Sequence, residues 1–148
     1  NIKFSSDFII GYPGESEEDF NSTLLLMEKV KFINSYSFVY SARPGTPASN
    51  LKEVDSIVAK KRLKIFQNMS DEIKKIHRKK ILNTEIEVLF ENKILNQEKY
   101  FGRDQYSNSV VVDSKINLTG KLIIVKIDDF NNNTLFGKVN LKKNYMAA

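Results

Sequence analysis

A change of hydrophobic period near residue 83 constrains this chain more than any other feature. Upstream of it, over residues 57–82, apolar residues recur at helical spacing. Val58, Ile65, Phe66, Met69, Ile73 and Ile76 fall within roughly 100° of one another on a helical wheel, as a buried stripe does. Lys60, Lys64, Lys74, Lys75 and Arg78 point to the other side, with Arg62 and Lys80 near the edges of the apolar arc. Downstream, the period drops to two. Alternating or continuous apolar runs occupy residues 85–90, 98–101, 109–113, 121–127 and 134–139, with a turn signal at Asn131-Asn132-Asn133 before the last. Five short strands in so few residues predict a small closed barrel, which leaves no exposed strand edge.

The first 56 residues read as strand, turn, helix, strand and loop. Asp7-Phe8-Ile9-Ile10 is a short apolar run of the kind that is buried on both faces of a parallel sheet. Gly11-Tyr12-Pro13-Gly14-Glu15 breaks it. Ser16 is placed to cap a helix whose first turn carries Glu17, Glu18 and Asp19, and Phe20, Leu24 and Met27 form its apolar stripe. Residues 36–41 alternate like a strand, and Arg43-Pro44-Gly45-Thr46-Pro47 is irregular by composition. This is a βα unit of a parallel sheet, too short for a complete α/β domain.

Charge is distributed as unevenly as structure. The net charge is +5, yet residues 1–56 are net −3, residues 57–83 net +7 and residues 84–148 net +1. A basic stripe confined to one helix points to a polyanion, or else to a solvated face. The chain has no cysteine and a single histidine, His77, which excludes disulfides, thiolate metal sites and a His-rich zinc site within it. His77 has no catalytic partner nearby in sequence and reads as a structural or surface residue. No run approaches the roughly 20 apolar residues of a membrane helix, and the start lacks signal-peptide character. The expected setting is cytoplasmic. Strand-like sequence begins almost at Asn1, so a preceding portion is expected.

Three loci carry possible chemistry. The turn at 11–15 follows a strand and precedes a helix, the place where a ligand approaches backbone amides; it is equally readable as a purely structural turn. Residues 41–48 follow the next strand, and Arg43 there can hold a carboxylate or phosphate, or simply stiffen a crossover loop. Tyr100-Phe101-Gly102-Arg103-Asp104-Gln105-Tyr106-Ser107-Asn108 mixes aromatics, an arginine and amides, as RNA-contacting loops do, or as a hairpin with inward aromatics does. No carboxylate pair suited to acid–base catalysis stands out.

The order of these segments resembles one family. Residues 6–20, SDFIIGYPGESEEDF, are similar to the SDFIVGFPGETEEDF segment of MiaB-type radical-SAM methylthiotransferases. Residues 36–48, YSFVYSARPGTPA, resemble their FSFxYSxRPGTPA segment, and Lys61-Arg62-Leu63 opens a helix like their KxxRLxxLQ helix. Phe101-Gly102-Arg103-Asp104-Gln105-Tyr106, with Gly120-Lys121 and Leu135-Phe136-Gly137-Lys138, is similar to a TRAM domain. The resemblance covers about residues 1–140. It implies an α/β fragment, the last βα units of a radical-SAM partial TIM-type barrel, over residues 1–80. A small all-β, OB-like TRAM barrel would follow over 81–143, with a tail at 144–148.

By the same resemblance, the parent enzyme uses S-adenosylmethionine and two [4Fe–4S] clusters held by cysteines. It would add a methylthio group to C2 of N6-isopentenyladenosine at position 37 of tRNA. Related branches act on threonylcarbamoyladenosine tRNA or ribosomal protein S12, and a non-catalytic RNA-binding module is a further reading. Ile9, Ile10, Gly11 and Arg43 are the expected cofactor-side residues. Lys64, Lys75, Arg78, Arg103, Tyr106, Asn108 and Lys121 are the expected contacts to a tRNA anticodon arm. No catalytic residue and no metal ligand is expected here, because the cluster cysteines are absent; the chain alone is expected to be inactive and monomeric.

Overall fold

A computed structural model describes residues 2–139, so the tail expected at 144–148 lies outside the described residues. Residues group into two compact units, 1–75 and 76–148. In the first, strand β1 (Ser5–Ile10), helix α1 (Glu17–Val30) and strand β2 (Asn34–Val39) form a βαβ unit, followed by a short 3-10 turn (Pro47–Asn50) and all but the last turns of helix α2 (Ser56–Ile81). The local rules hold at α1. Ser16 is extended, the Asp19 N–H donates to Ser16 Oγ at 3.1 Å, and the Ser16 N–H donates back to Asp19 Oδ2 at 2.9 Å. Lys31, left-handed at φ 55°, ends the helix by donating its N–H to the Met27 carbonyl.

β1 and β2 pair in parallel, with Asp7 opposite Tyr36 and Ile9 opposite Phe38. Alternation then sorts the side chains. Phe8 and Ile10 face a core of Phe20, Met27, Phe66 and Ile73, where the Phe8 and Phe66 rings lie 4.7 Å apart. Ile9, Tyr36 and Phe38 project from the opposite face, each about 60% exposed.

Helix α2 corrects the wheel reading. Phe66 and Ile73 are buried as expected, and Met69 partly so, but Val58, Ile65 and Ile76 are exposed. The buried line instead runs through Ala59, Arg62, Phe66, Ser70 and Ile73. Small residues at Ala59 and Ser70 allow close approach, and Arg62 is buried because carboxylates from another element meet it. Arg78, expected on the outer face, is also buried.

The second unit is a closed five-stranded barrel. Its strands are β3 (Glu85–Lys93), β4 (Lys99–Asp104), β5 (Ser109–Asp113), β6 (Leu122–Phe130) and β7 (Thr134–Val139), in the order β3-β4-β5-β7-β6. β5 pairs with β7 in parallel; the other pairings are antiparallel, and β3 against β6 completes the closure. Inward positions Val88, Phe90, Tyr100, Val110, Val112, Val125, Ile127 and Leu135 fill the interior with Leu118. Gly102 and Gly137 stand where a Cβ would strike the Leu89 and Lys126 carbonyl oxygens, so only glycine fits these crowded crossings. Among the described residues, no helix is long and apolar enough to cross a membrane.

Candidate functional site

The carboxyl ends of β1 and β2 open into a cavity of about 510 Å³. Ile9 and Tyr12 reach it from the β1 side, and Phe38, Tyr40 and Arg43 from the β2 side; Pro47 and Ala48 also line it. Tyr12 and Tyr40 meet edge to face with ring centroids 5.3 Å apart. The Tyr40 hydroxyl is buried without a hydrogen-bond partner, a group that a ligand acceptor or donor would satisfy. Arg43 is exposed, and its carbonyl accepts from the Thr46 N–H at 3.2 Å and the Thr46 hydroxyl at 2.8 Å, which folds the loop back toward the cavity. The volume lies within the range of small-molecule sites, and the lining is aromatic and aliphatic with one cation.

Of the four residues expected on the cofactor side, the structure gathers two, Ile9 and Arg43. Ile10 is fully buried in the core and does not line the cavity. Gly11 is buried too, at φ +74°, with its Cα so near α2 that an added Cβ would lie 2.7 Å from the Ala59 Cβ. It shapes the turn rather than the wall. Tyr12, Phe38 and Tyr40 are cavity residues that sequence reasoning passed over, although all three stand inside the quoted motifs.

Behind the turn lies a charge cluster in which Arg62 is buried and Glu15 nearly so. Arg62 Nη1 donates to Glu15 Oε2 at 2.8 Å and to the Glu15 carbonyl at 3.0 Å, and its Nη2 donates to Glu17 Oε2 at 2.9 Å. The same Glu15 Oε2 accepts the Gly11 N–H at 3.0 Å. The guanidinium carbon lies 5.5 Å from the centre of the Phe20 ring. Burial by itself lowers the Arg62 pKa, but the hydrogen bonds and attraction from Glu17 and Glu15 outweigh it and leave it raised. Nothing in the local sequence announces this cluster, since its members are 45 and 47 residues apart.

The expected RNA contacts divide among several places. Lys64 and Lys75 are exposed on α2, with Lys75 3.8 Å from Glu72. Arg78 is not with them. It is buried, its Nη1 donates to the Asn131 carbonyl, and burial lowers its pKa. This corrects its expected place on the outer face of α2, because the side chain turns in toward the Asn131 carbonyl. Arg103 lies 3.0 Å from Glu91 and over the Phe101 ring at 5.2 Å. Tyr106 and Asn108 belong to the β4–β5 turn, where Asp104 Oδ1 accepts both of their N–H groups at 2.8 Å and Asp104 Oδ2 accepts the Asn108 amide at 2.8 Å. Lys121 is exposed just before β6.

No family model matches the chain. Individual proteins do. It is 52% identical over 140 residues to the tRNA-2-methylthio-N(6)-dimethylallyladenosine synthase of Pelagibacter ubique, covering 93% of this chain and 31% of that protein. To the synthase of the same name from Neorickettsia sennetsu it is 38% identical over 135 residues, covering 91% of this chain and 28% of that protein. The chain belongs to the MiaB-type methylthiotransferase family. It spans less than a third of the length of these relatives. Both MiaB-type segments quoted from the sequence, residues 6–20 and 36–48, converge on the cavity: the first supplies Ile9 and Tyr12, the second Phe38, Tyr40 and Arg43.

Proposed function

We propose that this chain is part of an enzyme that adds a methylthio group to C2 of N6-isopentenyladenosine at position 37 of tRNA. The observation that carries the reading is the 52% identity over 140 residues to a synthase named for that product. Residues 1–80 then belong to the last βα units of a radical-SAM partial barrel, and the closed barrel is the TRAM domain.

The β1–β2 cavity fits S-adenosylmethionine. Ile9 and Phe38 offer apolar surface to the adenine, Tyr12 and Tyr40 offer ring edges, and Arg43 offers a cation to the ligand carboxylate. When bound, that cofactor supplies methyl and radical chemistry. The iron–sulfur clusters do not fit this chain, which has no cysteine thiolate to hold them. The isolated chain is therefore inactive in our reading, and its own share of the work is to bind and orient. On the RNA side, Lys64, Lys75 and Lys121 are exposed cations for phosphates, and Arg103, Tyr106 and Asn108 sit around one barrel turn.

Expression of the full-length protein that carries this chain, in bacteria lacking the methylthio modification, tests the activity. Nucleoside mass spectrometry of their tRNA is expected to show 2-methylthio-N6-isopentenyladenosine. Persistence of unmodified N6-isopentenyladenosine would overturn the reading.

A further inference from the structure

The cluster behind the turn does more than bury charge. Its geometry forms a relay with three members. Arg62 fixes Glu15 from two sides, through the carboxylate and the backbone carbonyl. Glu15 in turn takes the Gly11 N–H with the same oxygen that meets Arg62. Gly11 then holds the left-handed geometry from which Tyr12 enters the cavity.

Helix α2 contributes a second part. Ala59 lies one helical turn before Arg62, on the same face, and packs against the Gly11 Cα. The turn is thus pressed from behind by a methyl group and tied from the side by a guanidinium. Glu17, 70% exposed, is a different kind of partner: it holds the far branch of the arginine from the first turn of α1.

We propose that Arg62 is a positioning residue for the β1–β2 cavity, acting through Glu15 and the Gly11 amide to set the turn that presents Ile9 and Tyr12 to a bound ligand. The inference rests on the reading of that cavity as a nucleoside-sulfonium site. Arginine suits the role because its planar fork makes three bonds in fixed directions, to two oxygens of Glu15 and one of Glu17. Lysine carries the charge but not the fork.

The test uses the full-length protein and S-adenosylhomocysteine as a probe that binds without turnover. Arg62→Lys is expected to weaken binding about tenfold, while Glu17→Gln, which keeps an oxygen to accept from Nη2 and leaves the Gly11–Glu15–Arg62 path intact, stays within about twofold of the parent. Amide exchange at Gly11, read by NMR in the same proteins, is expected to quicken about tenfold in Arg62→Lys relative to the rest of β1. A lower melting temperature in Arg62→Lys with unchanged probe affinity and unchanged Gly11 exchange would reduce Arg62 to a stabilising residue and overturn the proposal. If the parent does not bind the probe, the cofactor reading fails. The Gly11 exchange then decides the relay alone: faster in Arg62→Lys supports it, unchanged overturns it.

Discussion

The two compact units bury their apolar residues by different means. In the barrel, every strand has two neighbours, and the inward positions pack among themselves. In the first unit, a two-stranded sheet has only one packed face, and Ile9, Tyr36 and Phe38 stand exposed on the other. The buried arginines mirror this contrast. Arg62 is met by two carboxylates, whereas Arg78 donates to a backbone carbonyl. In the closed sheet every strand is hydrogen-bonded on both sides around a packed interior. The two-stranded sheet has a polar tie, Arg62 to Glu15, behind the turn that leads into the cavity.

Substitution measures the contrast most directly. Phe90→Ala in the barrel core is expected to cost about 4 kcal/mol, whereas Phe38→Ala on the exposed face should stay within about 0.5 kcal/mol. Urea unfolding reads both, and similar losses at the two sites would break the comparison. Next come the arginines. Arg62→Met strands a buried carboxylate and is expected to cost about 3 kcal/mol. Arg78→Met strands only a neutral carbonyl, for about 1 kcal/mol. A larger loss at Arg78, in the same unfolding assay, would show that the barrel too depends on a charge.

Backbone strain gives a smaller pair. Gly11→Ala must hold φ near +74° and crowd Ala59, at about 2 kcal/mol. Gly14→Ala has the same sign of φ in open space, at about 1 kcal/mol. Thermal denaturation should rank them in that order, and a reversal would remove α2 as the support of the turn. Smallest is the acid response of α1. The Ser16 backbone N–H, and then its hydroxyl, hold the Asp19 carboxyl below its ordinary value of 3.8. A lowered folded pKa means the cap's contribution is present above that value and is lost as pH falls through the lowered one. Asp19→Asn should therefore remove part of the acid-induced loss of α1 structure below pH 3.8, seen in amide exchange of its first turn.

Much of this architecture was legible from residue order, because it depends on neighbours in sequence. Ser16 and Asp19 announced a cap, and the period-two runs located all five barrel strands to within a few residues. What escaped depends on partners far apart. The parallel pairing of β5 with β7 leaves no local signature. On α2, a wheel drawn by hydrophobicity ranked Ile65 above Ala59 and could not assign Arg62 to the interior, since Glu15 cancels its charge from 47 residues away. The cavity followed the same rule: Ile9 and Arg43 were found through their motifs, while the orphan hydroxyl of Tyr40 exists only once β2 is paired.

The parallel contact between β5 and β7 has a consequence for synthesis. A ribosome delivers the chain from its amino end, at about 5–20 residues per second. Glu15 and Arg62 are both available once α2 has emerged, so the first unit has the parts of its tie early. The barrel has to wait. Until Thr134–Val139 leaves the exit tunnel, β5 has β4 on one side and an open edge on the other. For those seconds the nascent chain carries an edge that the finished protein does not show, and a stop codon placed before residue 134 would make that transient edge permanent.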